Sequence, residues 1–313
     1  MALKRHIIGA ALLAAICVPA PVLAQEENDE MDKAGPAIGT EVFVSTDSDD
    51  TTVVRVAGDF DLRNAPNGSR LGIRVEKAWY DPQGQGRIAR ERVFLQVADG
   101  EGDIEWSVRI GTDGDTIIGS ASINDNEDFR KEAFIERDIV ETPLGLERGI
   151  YSTFAGAAID LPADENNIFT VLGGVQEFTG DNLRLHLRGN FVHVVDSELG
   201  LSVQLRTRYF HSTEPGEFDY FSPENYTQVL PVVQLRRFVN DWQLLAAGGI
   251  GAQQITGTGW EQANFAQLRF ISPSENDWFA SGEAIYSQTP GDNAVAGSGY
   301  DYFQARFSLT RRF

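Results

Sequence analysis

Apolar and polar residues alternate with a period of two along most of the chain. Leu71, Ile73 and Val75 interleave with Arg74 and Glu76, and Ile104, Trp106, Val108 and Ile110 with Glu105, Ser107 and Arg109. Leu183, Leu185 and Leu187 interleave with Arg184, His186 and Arg188, and Leu199, Leu201, Val203 and Leu205 with Ser202, Gln204 and Arg206. Trp278, Ala280, Gly282, Ala284 and Tyr286 face away from Ser281, Glu283 and Ser287. The final segment puts Phe303, Ala305, Phe307, Leu309 and Phe313 on one side and Tyr302, Gln304, Arg306, Ser308, Thr310 and Arg312 on the other. Arg311 interrupts its apolar side. This period predicts strands rather than helices.

Read throughout, the pattern predicts about sixteen strands. They start near Thr40, Thr52, Arg70, Ile88, Asp103, Thr116, Asp128 and Ile150, then near Asn167, Asn182, Glu198, Thr227, Asp241, Trp260, Asp277 and Gly299. Residues 129–161 alternate poorly. Connections after even-numbered strands are short: 99–102, 162–166, 196–197, 239–240 and 272–276. The two long connections, 211–226 and 288–298, both follow odd-numbered strands. Short turns at one end and longer loops at the other are the mark of an outer-membrane barrel with both termini in the periplasm.

The expected fold is therefore all-β, a transmembrane antiparallel up-and-down barrel. A periplasmic β-sandwich would also alternate. Its second face would not need the Arg, Gln, Glu and Ser found here, which suit a wet lumen. Trp79, Tyr80, Trp106, Tyr209, Trp242, Trp260, Trp278 and Tyr302 fall near predicted strand ends, where aromatic girdles belong. Phe307, Leu309 and the terminal Phe313 make the last strand a candidate membrane-insertion signal, read by the barrel assembly machinery. Outer-membrane lipid and lipopolysaccharide are the expected surroundings.

Residues 1–24 read as a signal peptide. Lys4 and Arg5 precede an apolar stretch over residues 7–18, too short to span a bilayer, and Val22-Leu23-Ala24 follows. The single cysteine, Cys17, lies in that stretch after Ile16, a poor context for lipid attachment, so the mature chain has no thiol. Residues 25–39 are expected to form an acidic disordered segment and 40–313 the barrel. The formal charge is −20, and removing Lys4 and Arg5 with the leader takes it to −22. Such a charge argues against nucleic acid as a partner. Acidic tracts such as Glu26-Glu27 and Asp49-Asp50 read as solvated loops; binding of divalent cations that bridge lipopolysaccharide is the weaker reading.

A barrel of this size encloses an aqueous channel unless it is plugged. The candidate pore-lining residues are Arg184, His186, Arg188, Gln204, Arg206, Arg208, Gln234, Arg236, Gln243, Glu283 and Arg306, with Gln253 and Gln267 extending the set. Guanidinium and amide groups donate hydrogen bonds to hydroxyl and carboxylate oxygens, which suits sugars or acidic solutes. Structural networks of the same residue types also line barrels. Phe218, Tyr220, Phe221, Pro223 and Tyr226 sit together in a predicted extracellular loop. Their rings either guide a glycan or pack the loop on the rim. Pro231 within a strand predicts a bulge or a local break. His211-Ser212 invites a hydrolase reading, but neighbours on a strand point to opposite faces, so the chain is not expected to be an enzyme. No metal-ligand spacing and no cofactor motif stands out.

Tyr220-Phe221-Ser222-Pro223-Glu224-Asn225-Tyr226, followed by Leu230-Pro231-Val232, Arg236-Arg237, Trp242 and Gly248-Gly249-Ile250-Gly251, resembles the C-terminal outer-membrane domain of the bacterial cellulose synthase C family of exopolysaccharide-export porins. The resemblance covers about residues 220–254, and more loosely 182–313. It implies a sixteen-stranded barrel that passes an exopolysaccharide outward. That family carries a long periplasmic tetratricopeptide region, which this sequence lacks. A separate periplasmic scaffold protein is then the implied partner, beside the glycan itself. A general or sugar-selective diffusion porin is the alternative, and a structural or adhesive surface barrel a further one.

Overall fold

A computed structural model describes residues 34–100, 102–125, 127, 129–290 and 300–313. The predicted leader, Cys17 and the acidic tract at 26–30 lie outside the described residues.

Sixteen strands form one closed antiparallel barrel in which each strand pairs with its neighbours in sequence. They are β1 (Gly35–Asp47), β2 (Thr52–Asn64), β3 (Arg70–Asp81), β4 (Ile88–Asp99), β5 (Ile104–Thr112) and β6 (Ile117–Asp125). There follow β7 (Lys131–Ile139), β8 (Tyr151–Asp164), β9 (Asn167–Phe178), β10 (Leu183–Asp196) and β11 (Leu201–Ser212). The last are β12 (Asn225–Val239), β13 (Trp242–Ile255), β14 (Glu261–Ile271), β15 (Trp278–Ser287) and β16 (Tyr302–Arg312). β1 begins at Gly35, five residues before the expected Thr40, so 35–39 are strand. β16 closes the barrel on β1 in one unbroken register from Ala37↔Arg312 to Asp47↔Tyr302. No described helix is long and apolar enough to cross a membrane.

The alternation sets the two faces. Leu71, Ile73 and Val75 are exposed on the outside, while Arg74 and Glu76 are buried inside. The same holds around the wall, so an apolar belt surrounds a polar interior. Trp79, Tyr209 and Trp260 mark one rim of that belt and Trp106, Trp242 and Trp278 the other. Two of the expected girdle residues are inside instead: Tyr80 is fully buried in an apolar interior cluster, and Tyr302 packs beside Tyr300. Residue parity decides this, because each shares its face with lumen residues two positions away. Phe307, Leu309 and Phe313 are on the outer face. Arg311 stays there by laying its guanidinium over the rings of Trp278 and Phe313, at 5.3 and 4.9 Å.

Asn240 and Asp241, both at positive φ, make the two-residue turn between β12 and β13. Pro231 produces a break without a bulge. Pairing of β12 with β13 lapses after Val229↔Ala252 and resumes in the same register at Val232↔Gly249. A Cβ at Gly251 would collide with the carbonyl oxygen of Val229, so the glycines opposite Pro231 permit a close approach.

The poorly alternating region hides a third long connection. Residues 140–150 carry a short helix, α1 (Pro143–Arg148), capped by Thr142 and ended by Gly149 in the left-handed region. Thr-Pro before the helix and Gly after it were the available signal. With 213–224 and 288–301, this strap gives three long connections, all at one end of the barrel.

Candidate functional site: the lumen and its closed mouth

The interior divides into two electrostatic zones. Strands β1–β8 carry interleaved acids and bases. Arg74 donates to Glu41 at 2.6 Å, Asp59 at 3.2 Å and Glu76 at 3.3 Å. Arg92 donates to Glu76 at 3.0 Å and to Asp138 at 2.6 Å. Several donors converging on each carboxylate compensate the cost of removing these charges from bulk water. A cavity of about 110 Å³ lies at mid-barrel, lined by this network, by Arg109 and Arg306, and by Arg188 and Arg208 from the opposite wall.

That opposite wall is basic. Arg184 is fully buried; its guanidinium sits 4.8 Å from the Phe178 ring centre and 4.4 Å from that of Phe210. It donates to the Phe221 carbonyl at 2.5 Å and to Gln176 at 3.3 Å. Nε2 of His186 lies 3.0 Å from Gln176 Oε1. Arg188 and Arg208 are directly opposite on β10 and β11. Arg206 donates to Gln204 at 3.0 Å, and Gln204 to Gln234 at 3.2 Å. Arg236, Gln243, Gln253, Gln267, Glu283 and Arg306 share the inner face, where Gln267 donates to Glu283 at 2.8 Å. Every proposed pore-lining side chain thus points inward. Many are buried by one another rather than bordering an open pore. Leu230, Val232, Leu245, Ala247, Phe265 and Ile285 form an apolar patch on the same inner wall.

Two connections meet over the extracellular end. The Thr142 hydroxyl donates to Asp219 at 2.6 Å, and the Leu144 N–H donates to the other oxygen of that carboxylate at 2.8 Å. Asp219 thereby ties the 140–150 strap to the 213–224 loop. Glu141 pairs with Arg55 of β2, and the Leu146 carbonyl accepts from Arg90 of β4 at 3.3 Å. Leu146 packs among Phe43, Tyr80, Phe94 and Ile118 inside the barrel. Burial pushes the Glu141 carboxyl above the ordinary carboxylate range, against the pull of Arg55. Asp113, at the β5–β6 turn, moves the other way: burial would raise it, but the Tyr151 hydroxyl and the backbone N–H groups of Thr116 and Asp115 hold it low.

The loop aromatics do not offer free faces in this arrangement. Tyr220 is fully buried and stacks on Phe178 at 4.2 Å. Phe221 and Tyr226 pack on Phe210 at 6.1 and 5.0 Å, and Phe218 leans on Tyr220 at 6.2 Å. Pro223 is half-buried beside them. In this arrangement they pack the loop against the inner rim. Sequence reasoning missed Asp219, Thr142 and Glu141, since no pattern links residues some 77 positions apart. His211 and Ser212 do face opposite ways: His211 contacts Asn225 at 3.2 Å, and Ser212 accepts from Arg184 at 3.4 Å inside.

A solved structure described as a bacterial polysaccharide outer membrane secretin superposes with a TM-score of 0.61 at 15% identity, covering 88% of this chain and 98% of that one. The two share a fold. What they share is the closed antiparallel β-barrel. Pseudomonas aeruginosa OccK5 aligns over 89% of this chain and 98% of its own, at 9% identity and a TM-score of 0.42. P. aeruginosa OprD aligns over 90% and 95%, at 8% and 0.44. No protein-family model and no curated protein sequence matches the chain.

Proposed function

We propose that this barrel is an outer-membrane channel for exporting an exopolysaccharide, shut at rest by the strap and the 213–224 loop. The observation that carries this reading is the Asp219 latch across a lumen walled with guanidinium and amide groups. A diffusion porin needs a standing aperture, whereas here Leu146, Tyr220 and Phe221 are buried at the mouth. The two segments meet through the Asp219 carboxylate and an apolar cluster of Val140, Ile150, Leu144, Phe218 and Tyr220, and can part there without unfolding the wall, which suits a conduit opened on demand. The fold shared with the polysaccharide secretin and the resemblance of residues 220–254 to the cellulose-exporting family support the same reading. In this proposal the membrane-facing Phe307, Leu309 and Phe313 mark the terminal strand for the assembly machinery, and a separate periplasmic protein delivers the polymer.

The test is single-channel recording of the refolded Asp219→Ala barrel in a planar bilayer. Current that long oligosaccharides block and short ones do not supports a glycan conduit. Ohmic current indifferent to oligosaccharides indicates a porin. No current from a folded, unlatched barrel indicates a structural role.

A further inference from the structure

Charge is balanced on one half of the lumen and unbalanced on the other. Between the rims, the inward positions of β9–β14 carry Arg184, Arg188, Arg206, Arg208, Arg236 and Arg269 and no carboxylate. Among the described residues, no carboxylate forms an ion pair with Arg206, Arg208 or Arg236, whereas Arg269 lies directly across the β14–β15 register from Glu283. Arg206 donates to an amide and lies over the Phe265 ring at 4.7 Å. Arg208 reaches a backbone carbonyl at 3.5 Å and lies over Phe210 and Tyr226. Arg236 and Arg269 occupy one level of the wall, each paired in register with Leu245 of β13 between them.

Like charges at one level of a sheet repel, and guanidinium groups withdrawn from water without a counter-charge cost stability. The chain has 46 acidic residues against 26 basic ones and supplies carboxylates freely to the arginines of β1–β4. Leaving Arg206, Arg208 and Arg236 without an ion-paired carboxylate points to a negative charge that comes from outside the protein.

The arginines also form a file along the barrel axis. Arg236 and Arg269 are near the periplasmic ends of β12 and β14, Arg206 is at mid-wall, Arg208 is higher, and Arg184 lies beneath the 213–224 loop. The apolar patch of Leu230, Val232, Leu245, Phe265 and Ile285 runs along the same stretch of wall, with Leu245 level with Arg236 and Leu230 level with Arg206. Forked donors bind carboxylates, while apolar and aromatic surfaces receive the C–H faces of sugar rings. A simple anion needs the first and not the second.

We infer that the β11–β14 wall is a binding track for an acidic polysaccharide, with sugar carboxylates on Arg206, Arg208 and Arg236 and ring faces on Phe265 and its apolar neighbours. This rests on the export reading and narrows it from a neutral, cellulose-like chain to a carboxylated one.

The test is calorimetric titration of the folded full-length mature barrel in detergent with hexagalacturonate, cellohexaose and inorganic polyphosphate. Hexagalacturonate should bind at least 10-fold more tightly than either, and weaken as salt rises. Arg206→Gln/Arg236→Gln should lose at least 10-fold, and Arg236→Gln alone a measurable part, with folding verified by heat-modifiable mobility. Equal binding of the acidic and neutral hexasaccharides would overturn the acidic class. Polyphosphate binding as tightly as hexagalacturonate would overturn the sugar-face half. Binding unchanged in both variants would overturn the location, and no binding by the folded barrel would overturn the track. Failure of the export reading appears elsewhere, as absent or unblockable current through Asp219→Ala.

Discussion

At the residue scale, parity along each strand fixed where a side chain would point but not what it would meet. The inward placement of Arg184, His186, Arg188, Gln204, Arg206 and Gln234 was legible in the alternation. That Arg184 would be enclosed by Phe178, Phe210 and the Phe221 carbonyl was not, because those partners come from three separate parts of the chain. Arg184→Ala strands a buried carbonyl and leaves a cavity between two rings. It should destabilise the barrel by about 3 kcal/mol or more, seen as a lower urea midpoint in lipid vesicles. Gly251→Ala places a methyl against the Val229 carbonyl beside the Pro231 break. It should cost about 1–3 kcal/mol in the same assay. Arg311 shows the converse: a residue that contradicts the outer-face pattern keeps its place through two aromatic neighbours, one of them the chain terminus.

At the element scale, the strands were readable and the strap was not. Strand starts agree with the alternation to within a few residues, as at Thr52, Arg70, Ile88 and Asn167. The strap eluded a period-two reading because it carries a six-residue helix, with local capping signals in place of a long repeat. Its docking has a pH dependence whose sign follows from Glu141. Docked, that carboxyl is buried and titrates above its ordinary value; undocked, it meets water and returns to it. The groups facing it are Arg55 from β2, Arg92 from β4 and Asp138 from β7. The docked state therefore binds the proton more tightly. The docking that this linkage adds is complete below the ordinary carboxylate value of about 4 and is lost as pH rises through the docked value. Open probability in bilayer recordings should rise with pH over that interval, and Glu141→Gln should flatten the profile.

At the scale of the whole molecule, the even strand number and the division of short and long connections were legible because closure constrains both. A barrel without a free edge must return its last strand to its first, and β16 does so over the full register with β1. The division of the lumen into balanced and unbalanced halves was not legible, since it depends on which strands face one another across the interior. The acidic chain pairs its lumen arginines on β1–β4 and leaves Arg206, Arg208 and Arg236 without ion-paired carboxylates, while both halves border the same central cavity.

The central claim is that the channel is held shut by the Asp219 latch. The most direct measurement is the single-channel conductance of the unaltered barrel against Asp219→Ala in the same bilayer, without added carbohydrate. A latched mouth should give little or no current from the first and long openings from the second. Equal steady conductance in both would contradict it.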